Sequence, residues 1–180
     1  ALGFPRVAGE VDAVVADGRG GGDSGGLFAA VDGRPHANLA HLSSSGVDAA
    51  WQVGTNDRVC ALDLGDGVLF VGGDFDSVGV ASRAHLAAIR TSDGELLPWS
   101  SMADNRVSTM LLADSVLYVG GRFTVLGGQP RSFAGALDAR TGSVSSWSPG
   151  VDAEVDAFAL LDTTIFVGGF FSYIGDTLRP

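Results

Sequence analysis

Repeated antiparallel β-sheets, with helices nearly absent, are what this 180-residue sequence predicts. Three observations carry the prediction. Trp51, Trp99 and Trp147 recur at an interval of 48 residues; Val11, Val59, Val107 and Val155 keep the same interval; and so do the pairs Gly72-Gly73, Gly120-Gly121 and Gly168-Gly169. A period of this size lies in the range of about 40–50 residues that one propeller blade occupies. The sequence is therefore read as an all-β chain, a β-propeller of four-stranded antiparallel blades, with units at 11–58, 59–106 and 107–154 and half of a fourth at 155–180. The whole of 1–180 forms one such domain or a part of one.

The unit 107–149 shows why each strand is expected. "VSTMLLAD" is an apolar run ending in a turn residue, and "SVLYVGGRF" is rich in β-branched and aromatic residues. "SFAGALDA" and "GSVSSWSP" supply two more short runs, so four strands are separated by Asp, Gly and Pro turns. No segment sustains a 3.6-residue apolar period. One sheet this small cannot bury both faces; stacking each sheet on the next solves the problem. Trp51, Trp99 and Trp147 then pack between neighbouring units, with Phe28, Phe75, Phe123 and Phe171 as further core. The glycine pairs allow close backbone approach or a bulge with positive φ. Asp66, Asp114 and Asp162 are read as turn residues rather than a ring of cation ligands, and Gly46, Gly94 and Gly142 as the turns before the fourth strands.

Composition narrows the function. Hydrophobic residues make up 46% of the chain, enough for a core, and the 27 glycines suit many tight turns. A net charge of −10 argues against nucleic acid or an anionic membrane surface as partner. All 11 cationic residues are Arg, and 18 of the 21 acids are Asp. Cys60 stands alone, which excludes an intrachain disulfide, and its apolar setting suggests a small buried thiol. No stretch is long and apolar enough to insert as a membrane helix.

The stretch "VLYVGGRFTVLGGQPRSFAGALDARTGSVSSWSPGVDAEV" resembles a bacterial secreted β-propeller repeat of consensus LYVGGxFTxxGGxxRxxLAALDxxTGxxxxWxP. "VLFVGGDFDSVGVASRAHLAAI" and "TIFVGGFFSYIGDTLRP" are similar to further copies. The resemblance covers nearly the whole chain. It implies a propeller in an exported or cell-surface protein, and it carries no catalytic residue to this sequence.

Gly22-Asp23-Ser24-Gly25-Gly26 spells the nucleophile motif of chymotrypsin-like proteases. We read it as a coincidence. Ser24 precedes His36, His41 and His85, the reverse of that family's order, although a triad is ultimately a matter of geometry. By alignment, Gly22-Asp23-Ser24 fills the slot of Leu117-Tyr118-Val119, so the second strand of the first unit is expected to be thin or irregular.

The polar connections after each Trp supply the candidate binding residues: Asp57, Arg58, Asn105, Arg106, Asp152 and Glu154. In a propeller such loops gather at one end of the axis, where they vary without disturbing the sheets. The expected role is non-enzymatic binding or scaffolding with a protein or carbohydrate ligand. A structural module of a surface assembly is the second reading. An axial hydrolase or lyase is the third; it would require Asp152 and Glu154 as a carboxylate pair with one pKa raised. His36, Arg83 and Arg131 share one slot and are read as a solvated loop. No motif for a metal or cofactor is present, and calcium has no specific signature. The N-terminal "ALGFPRVAGE" aligns with the tail of a fourth strand and its following loop. Ring closure therefore calls for the remainder of a longer chain or for further copies.

Overall fold

A computed structural model of the chain describes residues 5–99 and 101–178. Among them there is no helix; the architecture is all-β, and its long strand pairs are antiparallel. Each unit opens with a hairpin. The first strands are Val7–Ala16, Val59–Gly65, Val107–Ala113 and Val155–Leu161, and their partners are Gly22–Val31, Val68–Gly73, Val116–Gly121 and Thr164–Gly169. Third strands Leu39–Ser43, Leu86–Arg90 and Ala134–Asp138 add to the far side of the second. Asp66, Asp114 and Asp162 sit in the tight hairpin turns with φ of 51°, 51° and 52°, a left-handed conformation that Asp tolerates.

Two expectations are corrected here. The fourth strand is rudimentary: Gly46–Val47 in the first unit, and single bridges, Ile89 to Leu96 and Leu137 to Val144, in the next two. Pro98 and Pro149 flank these segments, and proline has no N–H to extend a ladder. The segment read as a fourth-strand tail instead starts the first strand, since Val7 pairs with Val31 and Glu10 with Leu27. Residues 1–4 of that reading lie outside the described part.

A small core of Phe28, Val31 and Ala40 lies inside the first unit, and the other cores lie between units. Leu39 and Trp51 of the first unit join Val59, Leu69, Val71, Phe75 and Ile89 of the second. Phe70 and Trp99 of the second join Val107, Leu117, Val119 and Phe123 of the third. Trp147 of the third packs with Val155, Phe158 and Phe171 of the fourth. Trp51 and Trp99 are buried and Trp147 is half-buried. Gly94 and Gly142, with φ of 72° and 76°, bring their backbones so close to the Trp51 and Trp99 indoles that a β-carbon would press on the rings.

The glycine pairs do not use positive φ; they provide room. A β-carbon at Gly72 would stand 2.6 Å from Val107 Cγ1 and one at Gly120 2.7 Å from Val155 Cγ1; Gly25 receives Val59 in the same way. The second glycine of each pair, Gly26, Gly73, Gly121 or Gly169, faces the backbone carbonyl of the residue before the periodic valine, Glu10, Arg58, Arg106 or Glu154. Units thus interlock by a valine entering a glycine socket. The array does not close into a ring among the described residues. At one end Val14 is 69% exposed, and at the other Phe166 is 54% exposed.

The strand at Gly22–Val31 is not thin: it runs ten residues and pairs on both sides, regular at Gly22–Ser24 and with its one register shift at Ala29–Ala30. Asp23 faces His41, and His41 Nδ1–H donates to Asp23 Oδ1 at 2.9 Å. The corresponding cross-strand pairs are Phe70 with Ala88 and Tyr118 with Ala136. Phe70 stacks edge-on to Trp99 and Tyr118 to Trp147, and in the first unit the His41 ring takes that place, 5.9 Å from Trp51. The ring has moved to the neighbouring strand, and the carboxylate fills the volume it left.

Candidate functional site

Every first strand carries a one-residue bulge, at mid-strand in Val7–Ala16 and at the second residue of the other three. Val11 pairs with Gly26 and Ala13 with Gly25, which leaves Asp12 without a partner; the same skip leaves out Cys60, Ser108 and Asp156. A bulge turns its extra side chain away from the ladder. Here all four turn toward a common place. Asp12, Cys60, Ser108 and Asp156, one from each unit, line a cavity of about 300 Å³ together with Arg106, Arg122, Glu154 and Phe170.

Side chains of successive units are linked across this mouth. Arg58 donates through Nη1 to both oxygens of Asp12 at 2.9 and 2.8 Å, and through Nη2 to Glu10. Arg106 Nη2 donates to Cys60 Sγ at 3.0 Å, and its Nη1 lies 3.6 Å from Asp74. Glu154 accepts from Ser108 Oγ at 3.0 Å and from Arg122 Nε at 2.7 Å. In each case the residue preceding a socket valine meets the bulge residue 46 positions earlier, at the seam with the unit that the valine opens. Burial pushes the Cys60 thiol up, against the pull of the Arg106 guanidinium. Burial and the Glu154 charge push the Asp156 carboxyl up, although Arg122 and Arg106 oppose.

Of the six residues the sequence singled out, Arg106 and Glu154 line the cavity and Arg58 adjoins it through Asp12. Asp57 and Asn105 are exposed and accept from the backbone N–H of Arg58 and Arg106. Asp152 is a loop cap: its Oδ1 accepts from the N–H groups of Ser172 and Tyr173 at 2.8 and 2.9 Å. Asn56 and Asp104 hold the same loop in the two preceding units. Those bonds, the Tyr173 N–H first, hold the Asp152 carboxyl below the usual carboxylate range. Asp152 thus has its carboxylate engaged by backbone N–H groups, while Glu154 faces Ser108 and Arg122.

The reading of Cys60 as a packed core thiol is also corrected, since it is a half-buried bulge residue on the cavity. The slot of His36, Arg83 and Arg131 is not a solvated rim. His36 is buried, and Arg131 donates to the carbonyls of Pro130 and Ser145. The bulge residues Asp12, Cys60, Ser108 and Asp156 escaped the sequence reading. Their signal was present, one position after each periodic valine, but their unlike chemistry hid the period.

Ser24 has its neighbours Asp23 and Gly25 on the opposite face of the sheet, as successive strand residues must. Asp23 and His41 face the second unit beside Trp51, while Ser24, across from Val14 and Ala40, lines a groove on the outer side of the first unit. The hydroxyl and the imidazole are thus separated by the sheet itself.

No protein-family profile matches the chain, and no curated protein does. Among solved structures it is similar to the crystal structure of the computationally designed Ika4 protein, with a TM-score of 0.61 at 14% identity over 93% of this chain and 92% of that one. It is also similar to the crystal structure of the computationally designed Ika8 protein, with a TM-score of 0.52 at 15% identity over 88% of this chain. The chain spans 55% of the Ika8 length. At such identities the likeness concerns the fold alone, and it agrees with an all-β architecture.

Proposed function

We propose that the chain is a run of β-propeller blades from an exported or cell-surface protein, and that the mouth lined by the bulge residues binds a protein or glycan ligand without catalysis. The observation that carries this reading is convergence: four units, 48 residues apart in sequence, each send the side chain of one residue left out of the strand ladder to a single cavity. Arg106 and Arg122 beside Glu154, Asp156 and Ser108 offer donors and acceptors at close range, the mixed polar lining that suits hydroxyl-rich or peptide ligands. The sequence resemblance to secreted propeller repeats supports the placement outside the cell, and the stacking of units through their inner faces supports the propeller.

The experiment is a glycan array probed with the wild-type chain and with Arg106→Ala/Arg122→Ala. Binding of a defined oligosaccharide that the double variant loses is the expected result. Binding that the double variant retains would overturn the assignment to this mouth, and an array without any signal would remove the glycan half of the reading. A structural role in a surface assembly is the second reading, favoured by the exposed apolar face of Thr164–Gly169.

A further inference from the structure

The last hairpin, Val155–Leu161 with Thr164–Gly169, repeats the socket of the other units but leaves it empty. Val59, Val107 and Val155 are fully buried against Gly25, Gly72 and Gly120. At Gly168 a β-carbon would meet nothing closer than Ala157 Cβ, at 3.7 Å. Phe166 occupies the position of Phe70 and Tyr118, yet it is 54% exposed. Phe170 occupies the position of Asp74 and Arg122 and is 77% exposed.

Charge defines what is missing as well as shape does. Asp156 is the bulge residue equivalent to Asp12, and Asp12 is held by Arg58, the residue immediately before the socket valine of the next unit. Asp156 has a carboxylate, Glu154, as its close neighbour, with Arg122 and Arg106 pulling more weakly the other way and neither hydrogen-bonded to it. The same site also offers the face of Phe170, on which a guanidinium can lie. We propose that this face seats the opening hairpin of a further unit of the same repeat whose first strand begins Arg-Val, as Arg58-Val59 and Arg106-Val107 do: the valine enters the Gly168 socket and the arginine pairs with Asp156. The inference stands on the interlock between units; because Asp156 and Phe170 also line the cavity, a seated hairpin would close one side of it.

A second copy of the chain offers the right valine and the wrong charge. Val11 is its exposed knob, but Glu10 precedes it and would bring a carboxylate against Asp156. Replacing that one residue converts the chain into its own probe. Glu10→Arg removes the Glu10 partner of Arg58 and leaves Asp12 as its bidentate one, so a thermal melt of Glu10→Arg alone, expected to match the wild type, accompanies the series. Such a head-to-tail contact is heterologous, so it yields a closed ring or an open filament, and either product supports the proposal.

The test is sedimentation velocity over a concentration series. Glu10→Arg is expected to self-associate at least tenfold more tightly than the wild type, and Glu10→Arg/Gly168→Val to remain monomeric. Gly168→Val fills an open space, so its thermal melt should match the wild type and confirm a folded chain. Glu10→Arg/Val11→Ser, which removes the knob and leaves the seat intact, should also remain monomeric. Association of Glu10→Arg no tighter than that of the wild type would overturn the arginine assignment. Association that survives Gly168→Val or Val11→Ser would overturn the seat.

Discussion

The His41 imidazole donates to a fully buried Asp23 carboxylate and stands where the neighbouring units place a phenylalanine or tyrosine ring against tryptophan. One pair of residues thus replaces an aromatic and an alanine in the same sheet volume. The second carboxylate oxygen of Asp23 is buried without a partner, so the pair is only partly satisfied.

Truncating His41 alone would strand a buried acid. His41→Ala is expected to cost about 3 kcal/mol, the scale of breaking a buried ion pair. Asp23→Phe/His41→Ala restores the composition seen at Phe70 and Ala88 and should be at least as stable as the wild type. Urea denaturation of the single and double variants checks both values. A double variant no more stable than His41→Ala would refute the equivalence of the two pairs.

The same pair gives stability a pH dependence. Burial raises the Asp23 carboxyl above the usual range, against the opposing pull of His41. Between the ordinary carboxylate pKa and that raised value the folded chain holds a proton that the unfolded chain has released. The Asp23 contribution to stability therefore falls as pH rises through this window and is most favourable below it. Asp23→Phe/His41→Ala should lose this component in unfolding free energies measured across the acid range.

Asp104 acts in the opposite direction. Burial pushes its carboxyl up, but the N–H groups of Val125 and Thr124 and the Thr124 hydroxyl outweigh burial and leave it lowered. Its contribution is present above the unfolded carboxylate pKa and is lost as pH falls through the lowered folded value. Asp104→Asn should keep the loop, as Asn56 does one unit earlier, and remove that acid-side loss. Asp104→Ala frees two backbone donors and should cost about 1 kcal/mol. Thermal melts at pH 7 and in the acid range separate the two variants.

The socket is testable without assembly. Gly120→Ala places a methyl against Val155 Cγ1 and should destabilise by about 1–3 kcal/mol through overpacking. Val155→Ala in the same chain should recover part of that loss, a non-additive pair. Additive losses in a double-mutant cycle would show that the valine does not occupy the glycine's space.

The periodic tryptophans, valines and glycines made the repeat legible because packing between units demands the same shape at each step. Trp51, Trp99, Gly72 and Gly120 were therefore readable from their spacing alone. The weak fourth strands were not, since "ELLPWS" and "SSWSP" have strand-like composition and only the geometry around proline shows how little they pair. The site was half legible. Arg58, Arg106 and Glu154 were found from their polar loops, but Asp152 came with them although its role is to cap a loop. Asp12, Cys60, Ser108 and Asp156 were missed because a bulge cannot be seen in a string of residue types. The exchange of a ring between strands at Asp23 and His41 was hidden for a similar reason: each residue alone looks like a defect, and only cross-strand pairing reveals the substitution.

The bulge has an evolutionary corollary. A side chain outside both ladder and core can change its chemistry when its partner across the mouth changes with it, and this chain already displays acid, thiol and hydroxyl at that one register. Positions 12, 60, 108 and 156 therefore form a small palette that can be rewritten to present a new surface on an unchanged frame.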